Sequence, residues 1–125
     1  MICDSNFLSE LYDEHQAGLQ GRASAFLARH RQAPFLITVI SLGEVAVIFD
    51  DPLDARKFLG RYRTLRLTPD IAYLAAAVDR ELIAVGGRLG ENDNWIAATA
   101  RVWGLRLVTR DEAFRRVPGL SVVRY

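Results

Sequence analysis

Apolar residues along the chain form short runs that alternate with longer stretches in which they recur every three or four positions. A short apolar run bounded by turn-forming or charged residues predicts a buried strand. In one of these runs, two leucines alternate with Arg66, which is also typical of a short strand. The predicted strands are Met1–Cys3, Phe35–Ile40, Leu65–Leu67, Leu105–Val108 and Leu120–Val123.

The longer stretches contain the sequence signals with which helices begin. Asp51-Pro52 and Thr68-Pro69 each combine a capping side chain with proline at the first helical position. Ser41 and Glu44 have the spacing of a capping box and predict a helix that continues through Val45 and Ile48. Further helices are predicted after Asn6 and over residues 23–30.

The most regular helical pattern precedes Gly104. Ile96, Ala97, Ala100 and Trp103 recur at helical spacing and predict a buried stripe, and Gly104 stands where the glycine that ends a helix belongs. Strands that alternate with helices are typical of a parallel sheet covered on both faces. The chain is therefore predicted to form one domain over residues 1–125, a three-layer α/β/α sandwich with a central, mainly parallel sheet.

Composition limits the cellular setting. The 125 residues include a single cysteine, Cys3, so no intrachain disulfide forms, which favours a reducing, cytoplasmic location. No apolar run approaches the ~18 residues of a membrane span. Asp4 interrupts the N-terminal apolar residues at once, unlike in a signal peptide.

Charge gives only a weak indication of a partner. The formal net charge is +1, which does not by itself indicate a nucleic-acid-binding protein. All basic residues except Lys57 are arginines, the side chain best suited to phosphate, although GC-rich coding also favours arginine. Arg56, Arg61 and Arg88 are candidates for contacts with phosphate groups, and a solvated helix face is the alternative for each.

Four acidic residues follow predicted strands or lie near the starts of predicted helices: Asp4, Glu44, Asp93 and Asp111. Each might only cap a helix or a turn. In open α/β sheets, however, functional residues gather beyond the carboxyl ends of the strands, and this topology would bring all four together. Carboxylates packed together raise one another's pKa unless a cation intervenes, and such hard oxygen ligands suit Mg²⁺ or Mn²⁺. This kind of site can activate water to attack a phosphodiester.

The residues around these acids resemble the motifs of PIN-domain nucleases, and most closely those of the VapC-type toxins of bacterial and archaeal toxin–antitoxin pairs. The resemblance extends over nearly the whole chain. Gly43, where the family often has alanine, is a small departure. The matching segments are Asp4-Ser5-Asn6, Ile40-Ser41-Leu42-Gly43-Glu44, Asn92-Asp93-Asn94-Trp95-Ile96-Ala97-Ala98 and Val108-Thr109-Arg110-Asp111-Glu112-Ala113-Phe114.

The resemblance implies a Mg²⁺- or Mn²⁺-dependent endoribonuclease that a cognate antitoxin holds inactive, and it also implies a homodimer. In this interpretation Asn6 orients Asp4, and Thr109 supports the site by hydrogen bonding. The contacts with RNA phosphates are predicted at Arg56, Arg61 and Arg88. The catalytic, metal-binding set implied is Asp4, Glu44, Asp93 and Asp111.

An apolar ridge is a candidate seat for an antitoxin helix, unless its members belong to the core. The ridge consists of Phe7, Leu8, Leu11, Phe58 and Tyr62.

Three other functions share features with this pattern. A receiver-like signalling domain also gathers acids around Mg²⁺, but it needs a lysine after a late strand, and Lys57 lies in a predicted helix. A PIN-like fold without catalytic activity would serve as a binding module. A nuclease acting on DNA remains open, because nothing in the sequence reads the 2′-hydroxyl of RNA.

Overall fold

The computed structural model of the protein describes residues 1–125 and contains one five-stranded sheet. The strand order is β3-β2-β1-β4-β5, and every neighbouring pair is parallel. The strands are β1 (Ile2–Cys3), β2 (Leu36–Thr38), β3 (Arg63–Leu65), β4 (Leu107–Val108) and β5 (Val122–Val123).

Six α-helices and one 3₁₀ helix, Glu112–Arg116, connect the strands. None of the helices has both the length and the apolar character that crossing a membrane requires. The α-helices are α1 (Ser5–Gln16), α2 (Arg22–Arg29), α3 (Val39–Ala46), α4 (Pro52–Leu59), α5 (Pro69–Ala84) and α6 (Glu91–Val102).

The sheet has a hydrophobic core on each face, because neighbouring side chains of a strand point to opposite sides. Cys3, Ile37 and Val108 pack with apolar residues of α1, α2, α3 and α4. The residue before each of them packs on the other face, with α5, α6 and the 3₁₀ helix. The predicted three-layer α/β/α sandwich with a parallel sheet is therefore confirmed.

Most of the predicted apolar ridge belongs to the core. Phe7 and Leu8 are fully buried, and Leu11 and Phe58 are buried as well. The Phe7 ring meets the Phe26 ring edge to face, with the ring centres 5.9 Å apart. Of the predicted ridge, only Tyr62 is half-buried, so the ridge offers no continuous docking surface.

The start of α3 differs from the prediction. The strand ends at Thr38, whose hydroxyl accepts a hydrogen bond from the Ser41 backbone N–H at 2.9 Å and so caps the helix. The capping box predicted at Ser41 and Glu44 was wrong, because Ser41 lies inside the first turn and Glu44 near the end of the helix. Two hydroxyl residues three positions apart both fit a cap, and the β-branched residues between them favoured a longer strand.

The end of α6 agrees with the prediction except at one residue. Gly104 has a φ of +61°, and the Leu105 N–H donates to the Ala100 carbonyl at 2.9 Å, which closes the helix. Ile96 and Ala100 are buried as predicted, but Trp103 is 47% exposed. Trp103 is the residue that caps the C-terminus of the helix, so its side chain lies beyond the buried stripe.

The other strand boundaries were predicted within a few residues. The strand predicted at Leu65–Leu67 lies two residues earlier, at Arg63–Leu65, and the last two strands are shorter than predicted. Such shifts are ordinary, because element ends depend on hydrogen bonds that hydrophobic spacing does not specify.

Candidate active site

The candidate site lies at the edge of the sheet where the parallel strands have their carboxyl ends. Asp4 directly follows β1, and Asp111 follows the neighbouring strand β4. Asp93 lies in the first turn of α6, and Glu44 reaches the site from the side of α3. The fold therefore brings the four predicted acids to one end of the molecule.

Asp4 is the most buried of the four acids, with 2% of its surface exposed. One carboxylate oxygen accepts the Phe7 N–H at 2.7 Å and caps α1, and the other accepts the hydroxyl of Thr109. Burial raises the pKa of Asp4 to about 6, even though these two hydrogen bonds act in the opposite direction. The negative charges of Asp93 and Asp111 contribute to the same rise in the pKa.

Asp93 is half-buried and faces other acids. The residue that caps α6 is Gly90, so Asp93 does not serve as the N-cap that was the alternative interpretation of its position. Burial raises the pKa of Asp93, and repulsion from Asp111 and Glu44 adds to the effect. The arrangement is therefore electrostatically unfavourable for three carboxylates that are all ionised.

Glu44 connects three helices. Its two carboxylate oxygens accept one hydrogen bond each, from the Ser5 hydroxyl on α1 and from the Asn92 side-chain amide on α6, the latter at 2.7 Å. Glu44, Asn92 and Asp93 line a common depression of about 410 Å³. Glu44 is thus oriented towards Asp93 by neutral hydrogen-bond donors.

Asp111 caps the 3₁₀ helix and is linked to Asp4 through Thr109. Its carboxylate accepts the Ala113 N–H at 2.8 Å, and its own N–H donates to the Thr109 hydroxyl oxygen at 3.0 Å. The same hydroxyl donates to Asp4, so Thr109 makes hydrogen bonds to both residues. Asp4 and Asp111 therefore each cap a helix and also belong to the candidate site.

Asn6 is placed differently from its predicted role. It forms no hydrogen bond to Asp4, whose partners are Phe7 and Thr109, and it lies exposed along a neighbouring depression. The orientation of Asp4 therefore comes from a backbone amide and a threonine hydroxyl.

No basic side chain lies within ion-pairing distance of any of the four acids; the carboxylates paired in this way are Glu10, Asp79 and Glu112. The acids also do not form a ready-made cage, since no three His, Cys, Asp or Glu side chains are grouped closely enough to hold a metal ion. Their chemistry nevertheless fits Mg²⁺ or Mn²⁺: they are hard oxygen donors whose mutual repulsion a cation would relieve.

The arginines predicted to contact RNA line other depressions than the two that contain Glu44, Asp93 and Asp111. The Arg88 guanidinium donates two hydrogen bonds to Asp79, at 2.9 and 3.0 Å. Arg56 and Arg61 are exposed and line two other cavities. None of the three lines a depression that contains one of the four acids.

A different arginine adjoins the site and was not predicted. Arg110 lies between Thr109 and Asp111, and its guanidinium donates to Glu10 on α1 at 2.7 Å. Its position within a matching motif was available from the sequence. The pairing with Glu10 was not, because the two residues are 100 positions apart.

The parallel sheet and the acids at its carboxyl edge define an α/β protein with a site suited to a hard divalent cation. The sequence matches the family model of the PIN domain over residues 1–120. The chain therefore belongs to the PIN domain family. No curated protein matches the chain.

Several solved structures are similar to the chain, and one of them is described as a toxin–antitoxin complex. The match in VapBC2 from Rickettsia felis, solved with a DNA fragment from the promoter, has 19% identity and a TM-score of 0.82 and covers 98% of this chain and 96% of that one. FitAcB from Neisseria gonorrhoeae has 21% identity and a TM-score of 0.80, with 97% and 94% covered. A toxin–antitoxin complex from Klebsiella pneumoniae has 28% identity and a TM-score of 0.73, with 98% and 94% covered. The predicted resemblance to PIN domains of the VapC type is confirmed.

Proposed function

We propose that the protein is a metal-dependent endoribonuclease and the toxin of a toxin–antitoxin pair. The observation that supports this most strongly is the convergence of four acids, none with a basic partner, at the carboxyl edge of a parallel sheet. Membership of the PIN domain family and the likeness to toxin–antitoxin structures support the same function.

In this proposal Asp4, Glu44, Asp93 and Asp111 hold Mg²⁺ or Mn²⁺, which when bound activates a water and stabilises charge on the phosphodiester. Thr109 keeps Asp4 and the Asp111 backbone in a fixed relation through its hydroxyl. Asp4 is almost fully buried and therefore lies on the inner side of the carboxylate cluster. The RNA lies across the open side, where Glu44 and Asp93 border a depression.

The proposed partner is a cognate antitoxin protein, as in the complexes that the chain resembles. The acid cluster would attract an arginine or lysine of such a partner, and charge-assisted hydrogen bonds of this kind contribute about 1.5–3 kcal/mol each. A homodimer and a cytoplasmic location belong to the same proposal. The free thiol of Cys3 is compatible with a reducing compartment.

Cleavage by the purified protein tests the proposal. Single-stranded RNA and DNA of one sequence, each with a 5′ label, are incubated with Mg²⁺, with Mn²⁺ or with EDTA. We expect cleavage of RNA that needs a metal and that Asp93→Asn abolishes, with unchanged circular dichroism. The amide keeps the shape of the side chain but is a poorer ligand for a hard cation.

The other outcomes distinguish the alternatives. Cleavage of DNA alone would favour a nuclease acting on DNA. RNA binding without cleavage by the wild-type protein would favour a binding module without catalytic activity. Cleavage at the wild-type rate by Asp93→Asn would show that the site is wrongly assigned.

Contacts of Arg56, Arg61 and Arg88 with RNA remain a prediction within this proposal. Loss of a phosphate contact lowers the salt dependence of affinity, because fewer counterions are released on binding. We therefore expect at least one of the three alanine variants to bind RNA with a shallower salt dependence. An unchanged dependence in all three would reject these contacts.

A further inference from the structure

A second depression adjoins the acid site and contains one basic residue. It measures about 530 Å³ and shares Asp111 with the acid site, while Arg110 provides its only positive charge. The side chain of Arg110 is 33% exposed. The lining residues are Asn6, Ser9, Glu10, Asp13, Arg110, Asp111 and Tyr125.

Arg110 is held in place from two sides. Its Nη1 donates to Oε2 of Glu10 at 2.7 Å, and its guanidinium carbon lies 5.5 Å from the centre of the Tyr125 ring. The Tyr125 hydroxyl donates to the same Glu10 oxygen at 3.1 Å, and the Tyr125 ring packs edge-on against Phe7 at 4.8 Å. The guanidinium is thus fixed beside the acids before any ligand arrives.

Most of the hydrogen-bonding capacity of Arg110 is unused. A guanidinium has five N–H donors, and Arg110 donates one hydrogen bond, to Glu10. The other oxygen of Glu10 accepts Arg22 Nε at 2.6 Å, so two arginines share this one carboxylate. The free N–H groups of Arg110 form a planar donor fork that suits a phosphate, which it can bind through two parallel hydrogen bonds.

We propose that Arg110 binds the RNA phosphate adjacent to the one that is cleaved, and that Glu10 and Tyr125 are positioning residues for its guanidinium. Asp13 and Asp111 in the same depression would repel a free anion, so the contact favours a polyanion whose neighbouring phosphate is already at the acid site. This inference rests on the proposed function. It adds a phosphate-binding subsite on the Asp111 side of the acids.

The test measures the binding of a fluorescent single-stranded RNA in Mg²⁺ by fluorescence anisotropy at several salt concentrations. All proteins carry Asp93→Asn so that the RNA stays intact. Arg110→Ala should weaken binding about tenfold or more and lower the slope of log affinity against log salt by about 0.7, the value for one contact on a single strand. Arg110→Lys should keep the slope but lose affinity, because it keeps the charge without the fork.

Arg22→Ala is the matched control. Arg22 pairs with the same Glu10 carboxylate and has the same charge, yet it does not line the depression. We expect the slope of log affinity against log salt for Arg22→Ala to equal that of the protein with Asp93→Asn alone. A purely structural role of Arg110 would alter thermal stability without changing the slope.

An unchanged slope in Arg110→Ala, or an equal loss in Arg22→Ala, would overturn the role of Arg110. If Arg110→Ala does not fold, Arg110→Lys decides, and undiminished affinity in that variant overturns the role. If the wild-type protein cleaves RNA, the proposed function stands whether or not Arg110 has this role. Both proposals would be overturned if the wild-type protein does not cleave RNA and the protein with Asp93→Asn alone does not bind it.

Discussion

Thr109 shows how much of the site depends on a single side chain. Its hydroxyl donates to the buried Asp4 carboxylate and accepts the backbone N–H of Asp111. Thr109 itself is 1% exposed, so water does not replace these bonds. The buried Thr109 hydroxyl therefore links two acids that follow neighbouring strands of the sheet.

Thr109→Val removes both hydrogen bonds while keeping the size of the side chain. We expect the free energy of unfolding to fall by about 1–3 kcal/mol, because the Asp111 N–H and one Asp4 oxygen lose their partner. Thr109→Ser keeps the hydroxyl and should recover most of the loss. Chemical denaturation of the wild type and both variants measures the effect, and equal stability of the valine and serine variants would show that the hydroxyl is dispensable.

Asp4 should make the metal-free protein less stable as pH rises. Its pKa is about 6 in the folded protein and near 3.8 in the unfolded chain, so the folded state binds the proton more tightly. The free energy of unfolding therefore falls between about pH 4 and pH 6 and stays lower above that range. Asp4→Asn cannot ionise and should be more stable than the wild type by about 1–3 kcal/mol at pH 7, with no gain below pH 4.

Denaturation in EDTA at several pH values measures this difference. Asp50→Asn, a change of the same charge away from the acid site, serves as the control and should show no such gain. A variant Asp4→Asn that is less stable than the wild type at pH 7 would contradict the assigned cost of burying this charge.

At the scale of the elements, one glycine needs its conformational freedom and another does not. Gly104 ends α6 with a φ of +61°, where a side chain is strained. Gly43 lies within α3, and an added Cβ there would meet nothing within 4 Å. The surrounding sequence predicted the stop at Gly104 but gave no reason for a glycine at Gly43.

Gly104→Ala and Gly43→Ala form a matched pair. We expect Gly104→Ala to lower the free energy of unfolding by about 1–2 kcal/mol, because alanine disfavours the left-handed conformation. Gly43→Ala should raise it by about 0.5–1 kcal/mol, because alanine is the better helix former. Thermal melts of both variants give the signs directly, and a stabilising Gly104→Ala would contradict the described end of α6.

The elements that were predicted well are those whose boundaries depend on local chemistry. Pro52 and Pro69 begin α4 and α5 as their sequence signals predict, and Gly104 ends α6. The start of α3 was misplaced because Thr38 and Ser41 are both capable caps. Only the structure distinguishes them, because the Ser41 N–H donates to the Thr38 hydroxyl and so makes Thr38 the cap.

At the scale of the whole molecule, the sequence predicted which acids converge but not how they are held. Asp4 and Asp111 follow strands that are neighbours in the sheet, and a parallel topology brings such strand ends to one edge. Glu44 was expected at the start of a helix and instead reaches the site through Ser5 and Asn92. Contacts between distant parts of the chain leave no local pattern, which is also why the pairing of Arg110 with Glu10 was missed.

The proposed control of the nuclease by a partner makes a prediction in cells. Expression of this chain alone should arrest the growth of a host, and co-expression of the reading frame next to its gene should restore growth. The Asp93→Asn variant, produced at the same level, should not arrest growth. Normal growth with abundant folded wild-type protein would contradict the toxin assignment without excluding nuclease activity.

The central claim is that the four acids together bind a divalent cation. Mn²⁺ binding measured by electron paramagnetic resonance tests this claim most directly. The wild-type protein should remove free Mn²⁺ from solution. Binding should weaken about tenfold or more in each of Asp4→Asn, Glu44→Gln, Asp93→Asn and Asp111→Asn, because each removes a charged oxygen ligand. Asp50→Asn should bind as the wild type does. A wild-type protein that binds no Mn²⁺, or an equal loss in Asp50→Asn, would contradict the account.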